Sequence, residues 1–402
     1  MTRSTFRTWG GVGVLCLASF TMVTTEFAPI GLLSRIASDI DESPSMVGLA
    51  VTLYAWIGAA SGLLSSWVSH RISRKALLIS LMLILAASSV LAALSSDLST
   101  LLGARALGAI AHGVFWASVA ATAAQMVPEG RVGLATSIVL GGITVATVMG
   151  VPLVNLIGQY VDWRTAFGCL AGMSALCAGA LAWMLPPMHL PSSSGASGFM
   201  ATIRRRDLRV TYVITGLTAA AHFGAYTFIE PFLSAIPGIS AYAVAVMLFA
   251  FGAAGFAGNL LSALLIDRHL RVFIFMALVG MALAIMALGL GGPTTGVWWI
   301  VGLLIVWGMT ISALFTGLQT WVLSLAGEHT VPATAIHTAV LNAAIGVGVI
   351  VGGGALESVG IDGAMLSASL VILPAIVLMV ASGRRGASPA PAREAGSGWD
   401  EA

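Results

Sequence analysis

The chain has 402 residues, 58% of them hydrophobic and 8% charged, with a formal net charge of +2 and a mean hydropathy of +0.98. Soluble domains carry about 25% charged residues, so this composition excludes a water-soluble globular protein. The small net charge gives no footing for nucleic-acid binding, and the three cysteines (Cys16, Cys169, Cys177) lie in apolar stretches, with neither a disulfide framework nor metal-ligand spacing.

An apolar run of about 18–25 residues crosses the hydrocarbon core as a helix. Twelve such runs are predicted, near 9–34, 44–68, 76–95, 98–126, 131–156, 163–185, 208–235, 240–266, 270–292, 296–326, 330–357 and 361–382. The first is too long for a signal-peptide core and carries Glu26, so it reads as an uncleaved first helix. The second contains Trp56 and ends at the basic turn HRISRK (70–75). The fourth holds Arg105, His112, Phe115 and Trp116. In the fifth, GGITVATVMGVPLVNLIGQY, Pro152 removes a backbone bond and predicts a bend, while Gly141, Gly142, Gly150 and Gly158 permit close packing on a neighbour.

The chief hydrophilic break, PPMHLPSSSGASGFMATIRRRDLR (186–209), divides the chain. It predicts an N-terminal six-helix half (1–185), a linker (186–207), a C-terminal six-helix half (208–383) and a disordered tail (384–402). The halves echo each other: HRISRK answers DRHLR (267–271), and Glu26-Phe27-Ala28-Pro29 answers Glu230-Pro231-Phe232. A repeat of this kind places substrate at the midplane between two rocking halves.

Of the 18 basic residues, all but Arg35, Arg105 and Arg164 fall at one side of the predicted spans. The positive-inside rule makes that side cytoplasmic, with both termini there.

Ionised groups at membrane depth are costly, and they face a bundle interior or a water-filled cavity. Counting along the helices puts Glu26 and Arg105 at matching depth in the outer third. His112 lies two turns from Arg105 on the same face, near the midplane with Phe115 and Trp116. Glu26 and Arg105 therefore read either as a proton-coupling pair or as a structural ion pair between the first and fourth spans. In the seventh span His222, Tyr226 and Glu230 recur every four residues and form one polar stripe facing inward. Glu230, near the outer surface, is either a coupling group or a solvated carboxylate. Gln319 and Asn342 are candidates for ligand contact or for interhelical hydrogen bonding. Trp56 and Trp307 could stack on a ligand or simply pack.

Taken together these motifs resemble the major facilitator superfamily, and within it the twelve-helix drug:proton antiporters. TTEFAPIGLLSRIASDI (24–40) is similar to that branch's first helix, and Arg105-Ala106-Leu107-Gly108 to its fourth-helix Arg-x-x-Gly motif, which the family associates with proton transfer. GVPLVNLIGQYVDWRTAF (150–167) resembles its fifth-helix motif, with Asn155 and Asp162 standing where Gly is usual. HRISRK keeps the basic residues of the loop motif between the second and third helices but lacks its Gly and Asp. TTEFAPIGLL, AHGVFW (111–116), AHFGAYTFIEPF (221–232) and LNAAIGVGVIVG (341–352) are closer still to bacterial sugar efflux transporters, which export arabinose, lactose-like sugars and isopropyl thiogalactoside.

The resemblance implies proton-coupled export by alternating access, with His112, Gln319 and Asn342 at the sugar and Glu26 and Arg105 nearer the coupling machinery. Trp116, Phe115, His222, Tyr226 and Trp56 complete the expected binding set, and Glu230 the coupling set. A multidrug or nucleoside:proton antiporter of the same superfamily is the alternative, kept open by Glu26. An intramembrane enzyme would need a nucleophile with its base, or a metal set such as His-Glu-x-x-His, and the sequence has neither. The expectation is thus an all-α integral membrane transporter in a bacterial inner membrane, monomeric, without cofactor or metal. Its partners are protons, a small sugar and the lipid bilayer.

Overall fold

Residues 3–69, 72–186, 188 and 199–385 are described in the computed structural model of the chain. His70 and Arg71 of the basic turn, most of the linker, and the tail from residue 386 lie outside them. Among the described residues there is no strand. The helices are α1 (Arg3–Gly31), α2 (Leu33–Asp39), α3 (Pro44–Ser69), α4 (Arg74–Ala93), α5 (Leu98–Met126), α6 (Val132–Val145), α7 (Val151–Tyr160), α8 (Trp163–Met184), α9 (Phe199–Arg204), α10 (Arg206–Tyr226), α11 (Ile229–Ser234), α12 (Ala241–Gly291), α13 (Val297–Ala326), α14 (Thr330–Val359) and α15 (Ile361–Arg385).

Among the described residues, ten segments are long and apolar enough to cross a membrane, and one of them, Val297–Val359, contains both α13 and α14. α10 is not among the ten, because Arg206, Asp207, Arg209 and His222 interrupt its 21 residues. Large exposed apolar side chains, among them Leu94, Trp183, Met276, Leu290 and Val377, cover the outside of the bundle. Such a surface suits lipid rather than water.

Local chemistry sets the helix ends. Asp97 and Asp162 cap α5 and α8 by accepting the backbone N–H of Thr100 and Thr165, and Ser73 and Ser240 cap α4 and α12 in the same way. One turn before Pro152, where a bend is expected, a π-helical turn at Ala146–Gly150 joins α6 to α7. A Cβ on Gly142 would run into the backbone of Cys16, so its absence lets α6 lie directly on α1. α12 is two helices end to end, matching the two predicted runs, with the break at His269, where φ −145° and ψ 49° leave the helical region.

Helices α1 to α8 pack mainly on one another, and α10 to α15 do likewise. The two groups meet along two seams, α3 against α14 and the π turn with α7 against α12. At the second seam Gly252 lies against the backbone of Thr147 and Val148, too close for any side chain. Among the described residues, the side-chain hydrogen bonds between the groups are Ser34 N–H to the Glu230 carboxylate (2.9 Å), Ser43 (3.1 Å) and Ser45 to Glu357, Thr52 to the Gly346 carbonyl (3.3 Å) and Trp56 Nε1 to the Ala343 carbonyl (3.0 Å). They run from the end bearing the N-terminus of α3 and the C-terminus of α14 to the middle of both helices, where Trp56 meets Ala343.

Candidate functional site

Between the two groups lies a cavity of about 670 Å³, walled by α1, α5, α6, α7, α10, α12, α13 and α14. Among the predicted residues, Glu26, His112, Trp116, His222, Tyr226, Gln319 and Asn342 line it. A crevice of about 260 Å³ between α3, α5 and α14 shares His112, Trp116 and Asn342 with it, and continues past Gly62, Leu63 and Ala335. That crevice leads away from the hydrogen-bonded end.

On the first wall, Arg105 is fully buried, and it does not pair with the Glu26 carboxylate. Its Nη1 donates to the Thr25 carbonyl at 2.9 Å and its Nη2 to the Glu26 carbonyl at 2.8 Å, while its guanidinium lies 4.1 Å from the Tyr54 ring centroid. Those contacts tie α5 to the peptide backbone of α1. The Glu26 carboxylate instead turns to His112, with Oε2 3.7 Å from Nε2. Tyr54 and Trp116 flank the imidazole edge-on at 5.1 and 6.0 Å between centroids. A carboxylate and an imidazole thus face the cavity together, held from behind by a cation that is not solvated.

The opposite wall is aromatic. His222 stacks on Tyr226 at 5.0 Å, Tyr226 stacks on Phe251 at 4.9 Å, and Trp307 meets all three edge-on. Trp307 is fully buried behind this layer, so it packs and does not stack on a ligand. Phe27 and Phe223 stack across the two groups at 5.6 Å. The third wall, from α13 and α14, is polar: Gln319 and Asn342 are joined by Ser312, Thr316, Thr320, His337 and Thr338.

Besides Arg105, which is buried behind the wall, three predicted residues stand away from the cavity. Phe115 is fully buried in the core formed by α1, α4, α5, α6 and α8, and does not line the cavity. Trp56 sits on the α3–α14 seam, where its indole N–H is committed to Ala343. Glu230 is neither on the cavity stripe nor solvated. Helix α10 ends at Tyr226 and the chain resumes as α11, which breaks the four-residue repeat and turns the carboxylate to Ser34 and Ser234 (2.9 and 2.8 Å), where it is 1% exposed.

Sequence reasoning missed His337, Thr316 and Tyr54. His337 is buried and lies 3.5 Å from Thr215 Oγ1, and Thr316 donates to Asn259 at 2.7 Å. A lone His or Thr in an apolar helix carries no signal of the face it occupies; the proximity of His337 to Asn342, five residues on, was the one available hint. Among the described residues no three His, Cys, Asp or Glu side chains converge to hold a metal ion.

Residues 15–333 match the model of the Major Facilitator Superfamily. A "Probable sugar efflux transporter" of Mannheimia succiniciproducens is 34% identical over 367 residues, covering 89% of this chain and 91% of that protein. The fold is similar to that of a bacterial homologue of the human lysosomal transporter Spinster in an inward-facing, occupied conformation (TM-score 0.77, 15% identity, 96% of this chain and 99% of that one). It is equally similar to a variant of the nucleoside transporter NupG (TM-score 0.77, 14% identity, 93% and 98%).

Proposed function

The chain belongs to the Major Facilitator Superfamily, and on that premise we propose that it exports small sugars in exchange for protons. The observation that carries this reading is the Glu26–His112 pair on the cavity wall, opposite the aromatic layer of His222, Tyr226 and Phe251. Sugars bind by hydroxyl hydrogen bonds combined with stacking of an apolar ring face on an aromatic side chain, and this cavity offers both. The name of the 34%-identical relative points the same way.

The exchange logic follows from one carboxylate with two uses. Ionised, Glu26 accepts hydrogen bonds from a sugar hydroxyl beside His112; protonated, it has one fewer acceptor to offer. Binding of the proton and of the sugar then oppose each other, and each drives release of the other. Arg105 serves by fixing the α1 backbone on α5, which keeps the carboxylate aimed into the cavity. His222, Tyr226, Gln319 and Asn342 contact the sugar from the second group of helices.

In this reading twelve spans form two six-helix halves, with both termini in the cytoplasm of a bacterium and the chain in its inner membrane as a monomer. The hydrogen-bonded seam is the outer closure, and the cavity with its crevice faces inward. Rocking breaks the bonds at Ser34, Ser45, Thr52 and Trp56 to release sugar outside. A multidrug or nucleoside antiporter is the second reading, favoured by the extent of the aromatic wall. The test is uptake of radiolabelled arabinose and isopropyl thiogalactoside into inside-out vesicles with an imposed proton gradient. Accumulation that collapses with an uncoupler supports sugar export; gradient-driven movement of a cationic dye or a nucleoside, with no sugar transport, replaces it.

A further inference from the structure

At the end of the molecule where α10 begins and α13 and α15 finish, a separate cavity of about 690 Å³ is lined by Arg206 and Arg271 over a floor that includes Trp321, Leu325 and Leu378. It shares no lining residue with the central cavity. Its charges are unequal in their freedom. Arg205, also on the rim, is held by Asp207 at 2.6 Å, so that pair is neutral. Arg206 and Arg271 have no ion-pair partner among the described residues. The Arg271 guanidinium lies 5.4 Å from the Trp321 ring centroid, and its only hydrogen bond among the described residues is a long one, 3.5 Å, to the Ser382 carbonyl. Two guanidinium groups without an ion-pair partner among the described residues therefore stand over an apolar floor in which Trp321 is only 4% exposed.

We propose that this cavity seats an anionic phospholipid, with the phosphate between Arg206 and Arg271 and the upper acyl chains on Leu325 and Leu378. Guanidinium groups match phosphate oxygens in a bidentate fork, and basic pockets between helix ends select anionic headgroups. A soluble anion would use the arginines and leave the apolar floor wet; a lipid covers both. The neighbouring surface continues the path, since Val272 and Met276 on α12 and Val377 and Val380 on α15 are large, apolar and exposed. The site requires only that the chain sits in a bilayer, so it stands whatever substrate the central cavity takes.

The test is native mass spectrometry of the detergent-purified full chain titrated with dioleoyl phosphatidylglycerol or dioleoyl phosphatidylcholine. Loss of both free charges in R206Q/R271Q should weaken phosphatidylglycerol binding about thirtyfold. Phosphatidylcholine binding should be unchanged, and the R206K/R271K variant should retain an intermediate affinity for phosphatidylglycerol. Melting of both variants in the same detergent checks that they are folded. Equal phosphatidylglycerol binding by wild type and R206Q/R271Q overturns the proposal. So does full displacement of the lipid by millimolar inorganic phosphate, which would make the site one for a free anion. Phosphatidylglycerol binding that appears only after residues 386–402 are removed would assign the cavity to the chain's own tail, and overturns it as well.

Discussion

Arg105 holds the backbone of Glu26 and leaves its side chain free. The guanidinium Nη2 donates to the Glu26 carbonyl at 2.8 Å, whereas the Glu26 carboxylate lies 3.7 Å from His112 Nε2. The two residues therefore do different jobs, and substitution should separate them. Arg105→Ala strips the partner from two buried carbonyls and is expected to cost about 3 kcal/mol, since hydrogen bonds to charged groups contribute about 1.5–3 kcal/mol each. Glu26→Gln keeps the side-chain shape and should leave the melting temperature nearly unchanged while abolishing gradient-driven export. Thermal melting in detergent, beside vesicle transport, distinguishes them. If Glu26→Gln still exports against its gradient in a pH-dependent way, the carboxylate does not couple.

His112 and Phe115 sit three residues apart on α5, one on the cavity and one in the core. His112→Ala should weaken sugar binding three- to tenfold, as expected for loss of one hydrogen bond of about 0.5–1.5 kcal/mol, with the protein still folded. Phe115→Ala should do the opposite: a fully buried phenylalanine truncated to alanine costs about 3–5 kcal/mol of stability. The folded fraction of that variant should keep wild-type affinity. Equilibrium binding of isopropyl thiogalactoside with parallel melting curves decides both. Unchanged affinity in His112→Ala would remove it from the site.

The contrast between these two residues marks what the sequence could reveal. Glu26, Arg105, His112 and His222 stood out because charge or imidazole inside an apolar span has to face the interior, and all four are buried. Phe115 and Trp56 gave no such constraint: an aromatic side chain is equally at home in core, seam or cavity. The misplacement of Glu230 had a different cause. A four-residue spacing describes one face only while the helix continues, and α10 stops four residues short of it. Most of the helix boundaries followed from hydropathy, including the break between the two predicted runs inside α12: Asp267, Arg268 and His269 read as a loop, and the backbone leaves the helical region at His269. The pairing of α3 with α14 was out of reach, since contacts between distant small residues leave no periodic trace.

The N-cap carboxylates Asp97 and Asp162 give a pH signature outside the membrane spans. Backbone hydrogen bonds from Thr100 and Thr165 hold both below the ordinary carboxylate range. A depressed folded-state pKa adds stability that is present above the unfolded value of about 3.9 and is lost as pH falls through the folded value. Wild type should therefore melt higher than D97N/D162N at pH 6. The difference should shrink below pH 4 as the wild-type carboxyls take up protons. A difference that stays constant from pH 6 to pH 3 would mean that ionisation of these caps contributes nothing.

The seam between α3 and α14 offers a direct handle on alternating access. A Cβ built on Gly353 would stand 3.1 Å from the Ser45 Cβ, and the Ser45 hydroxyl is bonded to Glu357 one turn further along α14. Disulfides need Cβ atoms about 3.5–4.5 Å apart, so a cysteine pair here forms after a shift of a few tenths of an ångström. In S45C/G353C, oxidation should hold this end shut and stop transport, while sugar still binds from the crevice side. Reduction should restore export. The mutated pair in its reduced state is the control for damage to the fold, and Cys16, Cys169 and Cys177 are unpaired in the native chain. If the oxidised pair transports at the wild-type rate, this seam does not open during the cycle, and the cavity must empty by another route.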